Sequence, residues 1–422
     1  MPQTSDVILA RMMALHPKII DLTLDRVWRL LAALDNPQDK LPPVIHIAGT
    51  NGKGSTQSMI RAGLEGMGKS VHAYTSPHLA RFHERIRLAG ELISEAHLTE
   101  VLDECYSANG TADITYFEIT TVAGLLAFSR TAADYTLLEV GLGGRLDATN
   151  VITPELSVIT PVSIDHEQFL GNTIAKIAAE KAGIIKRGVP VVVGPQQDAA
   201  MGVIEATAAR LGAPVIAYGQ HWHVQEERGR LVFQDEQGLL DLPLPALLGA
   251  HQVQNAGAAL AALRHLGADE TACEAAMVNA EWPARMQRLK HGPLVEAAGT
   301  GELWLDGGHN AAAGVALAQV LATLPKRPTH LICGMLNTKD VTGYMAPLAQ
   351  QADSLTAISI PDEINTLSAE ETRSAAEAVG LTATTAANAL EALQSIVAKE
   401  PAARVLICGS LYLAGHVLQD NG

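Results

Sequence analysis

One stretch near the amino terminus, residues 44–68, constrains this chain more than any other. Val44–Ala48 (VIHIA) is a short apolar run, GTNGKGS follows from Gly49 to Ser55, and Met59, Ile60, Leu64 and Met67 then recur at helical spacing until Gly68. Strand, glycine loop and helix in immediate succession make a βα unit, which buries its apolar surfaces when the strand lies in a parallel sheet covered by helices. A glycine-rich turn at that place lets backbone N–H groups wrap a phosphate, and Lys53 adds a mobile cation. The strict spacing G-x-x-x-x-G-K-[ST] is not met: Ile47 stands where its first glycine belongs, Gly54 follows Lys53, and the hydroxyl comes one place later at Ser55. Phosphate binding is preferred here to an ordinary glycine turn with a surface lysine.

The alternation continues. Residues 135–140 run into GLGGRLDATN, residues 156–162 run into SIDHE, and VPVVV at 189–193 precedes a helix ending near Leu211. Residues 222–244 differ, with short alternating runs broken at Arg228-Gly229 and Gln237-Gly238, which predicts an antiparallel meander. A helix carrying Ala256, Leu260 and Leu263 follows. Pro283 forbids continuation of a helix, so a domain boundary is expected there, giving domains 1–282 and 283–422. Beyond it, residues 303–305, 329–333, 355–360 and 405–408 read as strands of a smaller open α/β sheet. Ligands of such sheets sit at the carboxyl ends of strands, so two such domains facing each other would form a cleft.

At roughly 150 residues per domain, 422 residues suit two or three domains. Hydrophobic residues at 48% against 18% charged exclude a disordered chain. Acidic residues outnumber basic ones, 45 to 30, for a formal charge of −15, which disfavours general binding to nucleic acid or membrane surfaces. An anionic substrate must therefore meet a local cluster of cations or backbone N–H groups. Cys105, Cys273, Cys333 and Cys408 are too scattered for metal or redox motifs and read as reduced core thiols. With neither a signal-peptide pattern nor a long uninterrupted apolar run, the expected compartment is the cytoplasm.

Glu139 lies near the end of its apolar strand, where a buried carboxylate calls for a metal or a cation. His166 is expected to close the next strand, and a set of hydroxyl, carboxylate and imidazole suits Mg²⁺ with retained waters. Each alone reads first as a hydrogen-bonded structural residue, and their joint occurrence after strands of one sheet weakens that reading. GLGGRLDATN has Leu146 where a dinucleotide fingerprint needs its third glycine, which makes an NAD site a poor reading. In DGGHN, Asp306 could face a ribose or metal and His309 a substrate carboxylate, while a helix cap by Asp306 or Asn310 remains as good a reading.

Taken together, these motifs resemble the folylpolyglutamate synthases, most closely their bacterial bifunctional members, and their shortened glycine loop is shared with the cell-wall Mur ligases. The resemblance runs almost end to end through DLTLDR (21–26), IAGTNGKGST (47–56), YTSPHLARFHERIR (74–87), TYFEITT (115–121), LEVGLGGRLDATN (138–150), DHEQFLG (165–171), EKAGI (180–184), DGGHN (306–310), GMLNTKD (334–340) and CGSLYLAG (408–415). It implies an α/β fold: a P-loop parallel-sheet nucleotide domain with the small antiparallel meander, plus a smaller Rossmann-like carboxyl domain. It implies an ATP-dependent amide ligase, acting as a monomer, that adds L-glutamate to 7,8-dihydropteroate and to reduced folates. Thr50, Asn51, Gly52, Lys53, Gly54 and Ser55 would hold the triphosphate of ATP, the co-substrate, and Ser76, Glu139 and His166 would coordinate Mg²⁺. Lys181 matches a family lysine that is N-carboxylated, and Lys53, Lys181 and His166 would be the catalytic set. Asn255, Arg285 and Asp306 would contact the nucleoside, the latter two across the domain cleft. Asp21, Leu22, Thr23, Leu24, Thr115, Phe117, Leu146, Asp147 and Ala148 match the pterin-binding segments, with Arg85 and His309 as candidates for a substrate carboxylate. The chain departs from the family pattern at Ala284 and Ala311, and neither change removes a charge.

The reaction so implied is phosphorylation of the acceptor carboxylate followed by attack of the glutamate amine. Two other readings are a monofunctional folylpolyglutamate synthase, against which DLTLDR and TYFE lean, and a nucleotide-driven switch that forms no bond.

Overall fold

The computed structural model describes residues 5–15 and 21–421. They divide into two compact units: the described parts of Met1–His78 with His83–Ala246 and Val253–Glu281, and Leu79–Phe82 and Leu247–Gln252 with the chain from Trp282 onward.

The amino-terminal unit is built on eight strands: β1 Val44–Ala48, β2 Val71–Tyr74, β3 Ile86–Leu88, β4 Glu91–Leu92, β5 Tyr135–Glu139, β6 Leu156–Ile159, β7 Val191–Val193 and β8 Val215–Ala217. Their order is β4-β3-β2-β5-β1-β6-β7-β8. From β2 to β8 every pairing is parallel, with His46 beside Leu138 on one side and Ser157 on the other. β1, β2, β6 and β7 are buried along their whole length, which explains their continuous apolar runs. Ile159, Val191 and Val193 pack with Ile177, Ile184, Ile204 and Ala208 from the covering helices. Each such buried isoleucine or valine contributes about 1.5–3 kcal/mol.

The sheet is parallel-dominated, as the alternation implied, and one edge adds an antiparallel pair. β3 and β4 form an antiparallel hairpin at one edge, closed by Ala89 and Gly90, both at positive φ. These strands are too short to show a period-two pattern, and Ala-Gly lacks the turn signature of Asn-Gly. β6 also ends sooner than expected, since Pro161 follows Thr160, so His166 does not close the strand but lies in the loop beyond it.

The expected meander is present as β9 Trp222–Glu227, β10 Arg230–Asp235 and β11 Gly238–Pro243, all antiparallel. Arg228 and Gly229 both take positive φ, as a two-residue hairpin turn requires. Trp222 ties this small sheet to the large one: it is fully buried, stacks on Phe233 at 6.0 Å and donates its indole N–H to Ile216 O of β8 at 3.0 Å.

The second unit carries β12 Gln287–Arg288, β13 Glu302–Leu305, β14 Thr329–Cys333, β15 Ser354–Ala357, β16 Ala383–Thr385 and β17 Arg404–Cys408. Their order is β12-β13-β17-β14-β15-β16, parallel except for β12. Apolar clusters line both of its faces, one around Leu305, Ile332 and Ile407, the other around Leu331, Leu355 and Leu406. The four cysteines are buried free thiols. Among the described residues no helix is long and apolar enough to cross a membrane.

Replacing Trp222 with Ala removes a fully buried ring and the bond to β8. The variant is expected to lose about 3–5 kcal/mol of stability, read as a lower urea midpoint; an unchanged midpoint would show that the meander is not anchored this way.

Candidate functional site

Parallel strands deliver their carboxyl ends to one edge of a sheet, and the order β2-β5-β1-β6 sets four such ends side by side. Ser76 follows β2, Glu139 ends β5, the glycine loop follows β1, and His166 lies in the loop after β6. Gly52 begins the Lys53–Gly66 helix with φ at +85°, and a Cβ there would strike the side chain of Asn255 from the Ala250–His265 helix. Only glycine permits both the turn and that close approach. Having no side chain, Gly52 cannot cap the helix, so its first N–H groups are left for an anion. Gly54 and Ser55 are buried within this first turn. Thr50 Oγ1 donates to Ser163 O and accepts from Ser163 N, both at 3.0 Å, and Asn51 Nδ2 reaches Ser163 Oγ at 3.4 Å. The glycine loop is thereby tied to the segment after β6.

Lys53 Nζ donates to the carbonyls of Gly49 and Thr50 at 3.3 and 3.4 Å and lies 4.0 Å from Glu139 Oε1. Lys181, at the end of the Ile174–Lys181 helix, is buried and donates to the same Gly49 carbonyl at 2.8 Å. Burial, reinforced by the charge of Lys53, pushes its ammonium down to about 7. A large share of Lys181 is therefore neutral amine near neutral pH, the form able to add carbon dioxide.

A divalent cation fits the other side of Glu139. Ser76 N donates to Glu139 Oε2 at 3.4 Å, and Ser76 Oγ is a buried hydroxyl without a hydrogen-bond partner. Hydroxyl and carboxylate oxygens suit Mg²⁺, which retains waters and takes phosphate oxygens as further ligands. Among the described residues no three His, Cys, Asp or Glu side chains gather into a metal cage. His166 has positive φ, a side chain 40% exposed, and Asp165 at 4.0 Å.

The expected pterin segments also meet. Leu22 packs on the core cluster that contains Val140, and a Cβ on Gly141 would strike the ring of Phe117. Thr115 caps the Tyr116–Arg130 helix in a reciprocal box with Glu118. Ala148 is buried, and Leu22, Thr23, Leu24, Phe117 and Leu146 are half-buried. Asp147 is engaged inside its own loop: its carboxylate accepts from Leu142 N at 2.8 Å, Thr149 N at 3.0 Å and the Thr149 hydroxyl. Burial pushes its pKa up against these donors. Arg85 is buried and donates to His78 Nδ1 at 2.9 Å; burial, then Arg85 and His83, push His78 down to about 4, keeping it neutral.

Arg26 and Glu118 received no role from the sequence. Arg26 forms a fork on Glu118 at 2.9 and 2.8 Å and also holds the carboxylate and carbonyl of Asp21 at 2.9 and 3.0 Å. The available signal was Glu118 itself, a lone carboxylate in the apolar helix YFEITTVAGLLAF, which needs a cation once buried.

In the carboxyl-terminal unit, Asn310 caps the Ala311–Thr323 helix, which settles the capping alternative. Asp306 instead accepts from Met286 N at 2.8 Å and Gly308 N at 2.7 Å; burial raises its pKa and Arg285 opposes the rise. Arg285 donates to Ala284 O at 2.8 Å, and His309 Nδ1 pairs with Gly307 O at 2.9 Å.

Residues 47–263 match the Mur ligase middle domain and residues 288–420 the dihydrofolate synthetase C-terminal domain. The chain is similar to the Escherichia coli dihydrofolate synthase/folylpolyglutamate synthase, with 34% identity over 96% of this chain and 92% of that one. It superimposes on the E. coli enzyme in complex with DHPP and ADP with a TM-score of 0.90 and 32% identity, covering 99% and 97% of the two chains. A bifunctional folylpolyglutamate synthase/dihydrofolate synthase with Mn, AMPPNP and L-glutamate bound gives 0.86 at 30% identity, covering 99% and 98%.

The buried lysine makes stability depend on pH with a definite sign. Between about 7 and its ordinary value of 10.5, the unfolded chain holds the Lys181 proton and the folded chain has released it, so stability rises with pH across that window. In carbon-dioxide-free buffer the wild-type urea midpoint should gain on that of Lys181→Met from pH 7 to pH 9.5. A constant difference between the two would contradict the depressed value.

Proposed function

We propose that this chain, which belongs to the folylpolyglutamate synthase family of Mur-type ligases, joins L-glutamate to 7,8-dihydropteroate and to reduced folates at the expense of ATP. The observation that carries the reading is the convergence, on one sheet edge, of the glycine loop, two lysines at the Gly49 carbonyl, and the Glu139 and Ser76 oxygens. Phe117, from the first turn of the Tyr116–Arg130 helix, packs alongside this edge at Gly141, and the loop carrying Asp147 joins it at Leu142.

A carboxylate is a poor electrophile and its oxygen a poor leaving group, so an amide does not form from it at a useful rate. Transfer of the γ-phosphoryl group of ATP to the acceptor carboxylate gives an acyl phosphate; the glutamate amine adds to its carbonyl, loses a proton, and phosphate departs as the amide forms. Lys53 and the N–H groups opening the Lys53–Gly66 helix neutralise charge on the transferring phosphoryl oxygens. Thr50 and Asn51, pinned to Ser163, keep that cradle in place before substrate arrives. Ser76, Glu139 and His166 are the residues that would hold Mg²⁺, whose chemistry there is to neutralise phosphate charge. Lys181, N-carboxylated, would add an anionic oxygen ligand beside Gly49. Asn255 lies against Gly52 and is assigned to the nucleotide; Asp21, Thr115, Phe117 and Asp147 are assigned to the pterin. Four buried free thiols accord with work in the reducing cytoplasm.

An assay coupling ADP release to product formation tests the whole reading. ATP consumption should require both dihydropteroate and glutamate, with reduced folates serving as further acceptors. Lys53→Ala should lower kcat by about 10²–10³-fold, the loss expected when a preorganised partner of the developing charge is removed. ATP turnover indifferent to the acceptor, or a Lys53→Ala enzyme at wild-type speed, would refute it.

A further inference from the structure

DLTLDR and TYFE stand about 90 positions apart, yet one guanidinium occupies both. Arg26 spends Nε and Nη2 on the two oxygens of Glu118, at 2.9 and 2.8 Å, and uses Nη1 and Nη2 again on the carboxylate and carbonyl of Asp21, at 2.9 and 3.0 Å. Glu118 accepts in addition from Thr115 N at 2.8 Å, closing the cap of the helix that carries Phe117. The side chains of Glu118 and Arg26 are 5% and 17% exposed, so the pair is largely withdrawn from water, whereas Asp21 is 35% exposed. Paired charges so far from solvent are a weak source of stability, because desolvation offsets most of their attraction. What the fork supplies is geometry: planar and bidentate, it allows one relative placement of the 21–24 segment and the first turn of the Tyr116–Arg130 helix.

We propose that Arg26 is a positioning residue for the pterin-bearing substrate, acting through Glu118 and Asp21 to hold Thr115 and Phe117 in register with Leu22 and Leu24. The inference rests on the proposed function and adds to it a residue that touches no reacting atom. A guanidinium serving this role cannot be replaced by an ammonium, which is a point charge without the fork. The effect must also be selective. Lys53, Glu139 and the glycine loop are held by their own contacts, so loosening the Arg26 fork leaves the nucleotide cradle as it was.

Arg26→Met, Arg26→Lys and Glu118→Gln are compared with wild type in initial-rate assays that vary dihydropteroate, ATP and glutamate in turn, with dihydropteroate binding followed separately by quenching of protein fluorescence. Arg26→Met should raise KM and Kd for dihydropteroate by about 10–100-fold, the range typical of lost supporting contacts, while KM for ATP stays within about twofold. Arg26→Lys should recover less than half of the loss on a logarithmic scale, and Glu118→Gln should shift the same constants in the same direction. Should Arg26→Met fail to fold, the other two variants carry the test. Equal changes for all substrates, or a fall in active fraction alone, would reduce Arg26 to a structural role and overturn the proposal. Wild-type enzyme that binds dihydropteroate, with variants that bind it as tightly, would overturn this role alone; wild-type enzyme that binds none would overturn the function as well.

Discussion

Two lysine side chains meet at one carbonyl oxygen, that of Gly49, and the rest of the amino-terminal site is arranged around this crowding. Lys53 and Lys181 reach it from different elements, one from the glycine loop and one from a helix end, at 3.3 and 2.8 Å. Two full positive charges cannot share a buried spot without relief. The relief is visible for both: Glu139 stands 4.0 Å from Lys53, and Lys181 gives up its proton readily. A chain whose formal charge is −15 thus meets an anion at this sheet edge through one lysine ammonium and the backbone N–H groups of a helix start, not through its overall field.

The same edge explains why so many motifs are clustered in loops rather than in strands. Strands β2, β5, β1 and β6 are buried except at Tyr135, and each contributes to the site chiefly at its carboxyl end and in the loop beyond it. Their burial holds the loop bases still; the loops differ because each presents a different donor. A second polar centre, Arg26 on Glu118 and Asp21, obeys another logic, since it links loop to helix and compensates a carboxylate set in an apolar helix. His46 is a comparable case within β1: fully buried, pushed down to about 3 by burial, it pairs with the Thr149 hydroxyl that serves Asp147.

Much of the fold is legible because long periodic segments speak for themselves. The βα unit at residues 44–68, the meander at 222–244 and the restart of alternation after Pro283 each rest on many residues. The β3–β4 hairpin is not legible, being strands of three and two residues with an Ala-Gly turn. The end of β6 escapes the apolar pattern because apolar residues run on through Val162, although Pro161 has already left the ladder. Asp147 and Asp306 show a subtler limit. Asp306 reads as a ligand carboxylate from its motif and Asp147 from the family resemblance, and both accept hydrogen bonds from nearby backbone N–H groups, a use that sequence spacing cannot distinguish from binding.

The sequence by itself determined the long periodic elements and which loops are rich in glycine, charge and hydroxyl groups, because propensity, periodicity and motif spacing are local properties. Tertiary structure alone decided which of those loops are neighbours, that Lys181 faces Gly49, that Arg26 finds Glu118, and that Ser76 keeps an unpaired hydroxyl beside Glu139. The physical reason is that strand order in a parallel sheet, and the burial that shifts a pKa or forces two charges together, depend on contacts between residues distant in the chain. No window of sequence contains both partners.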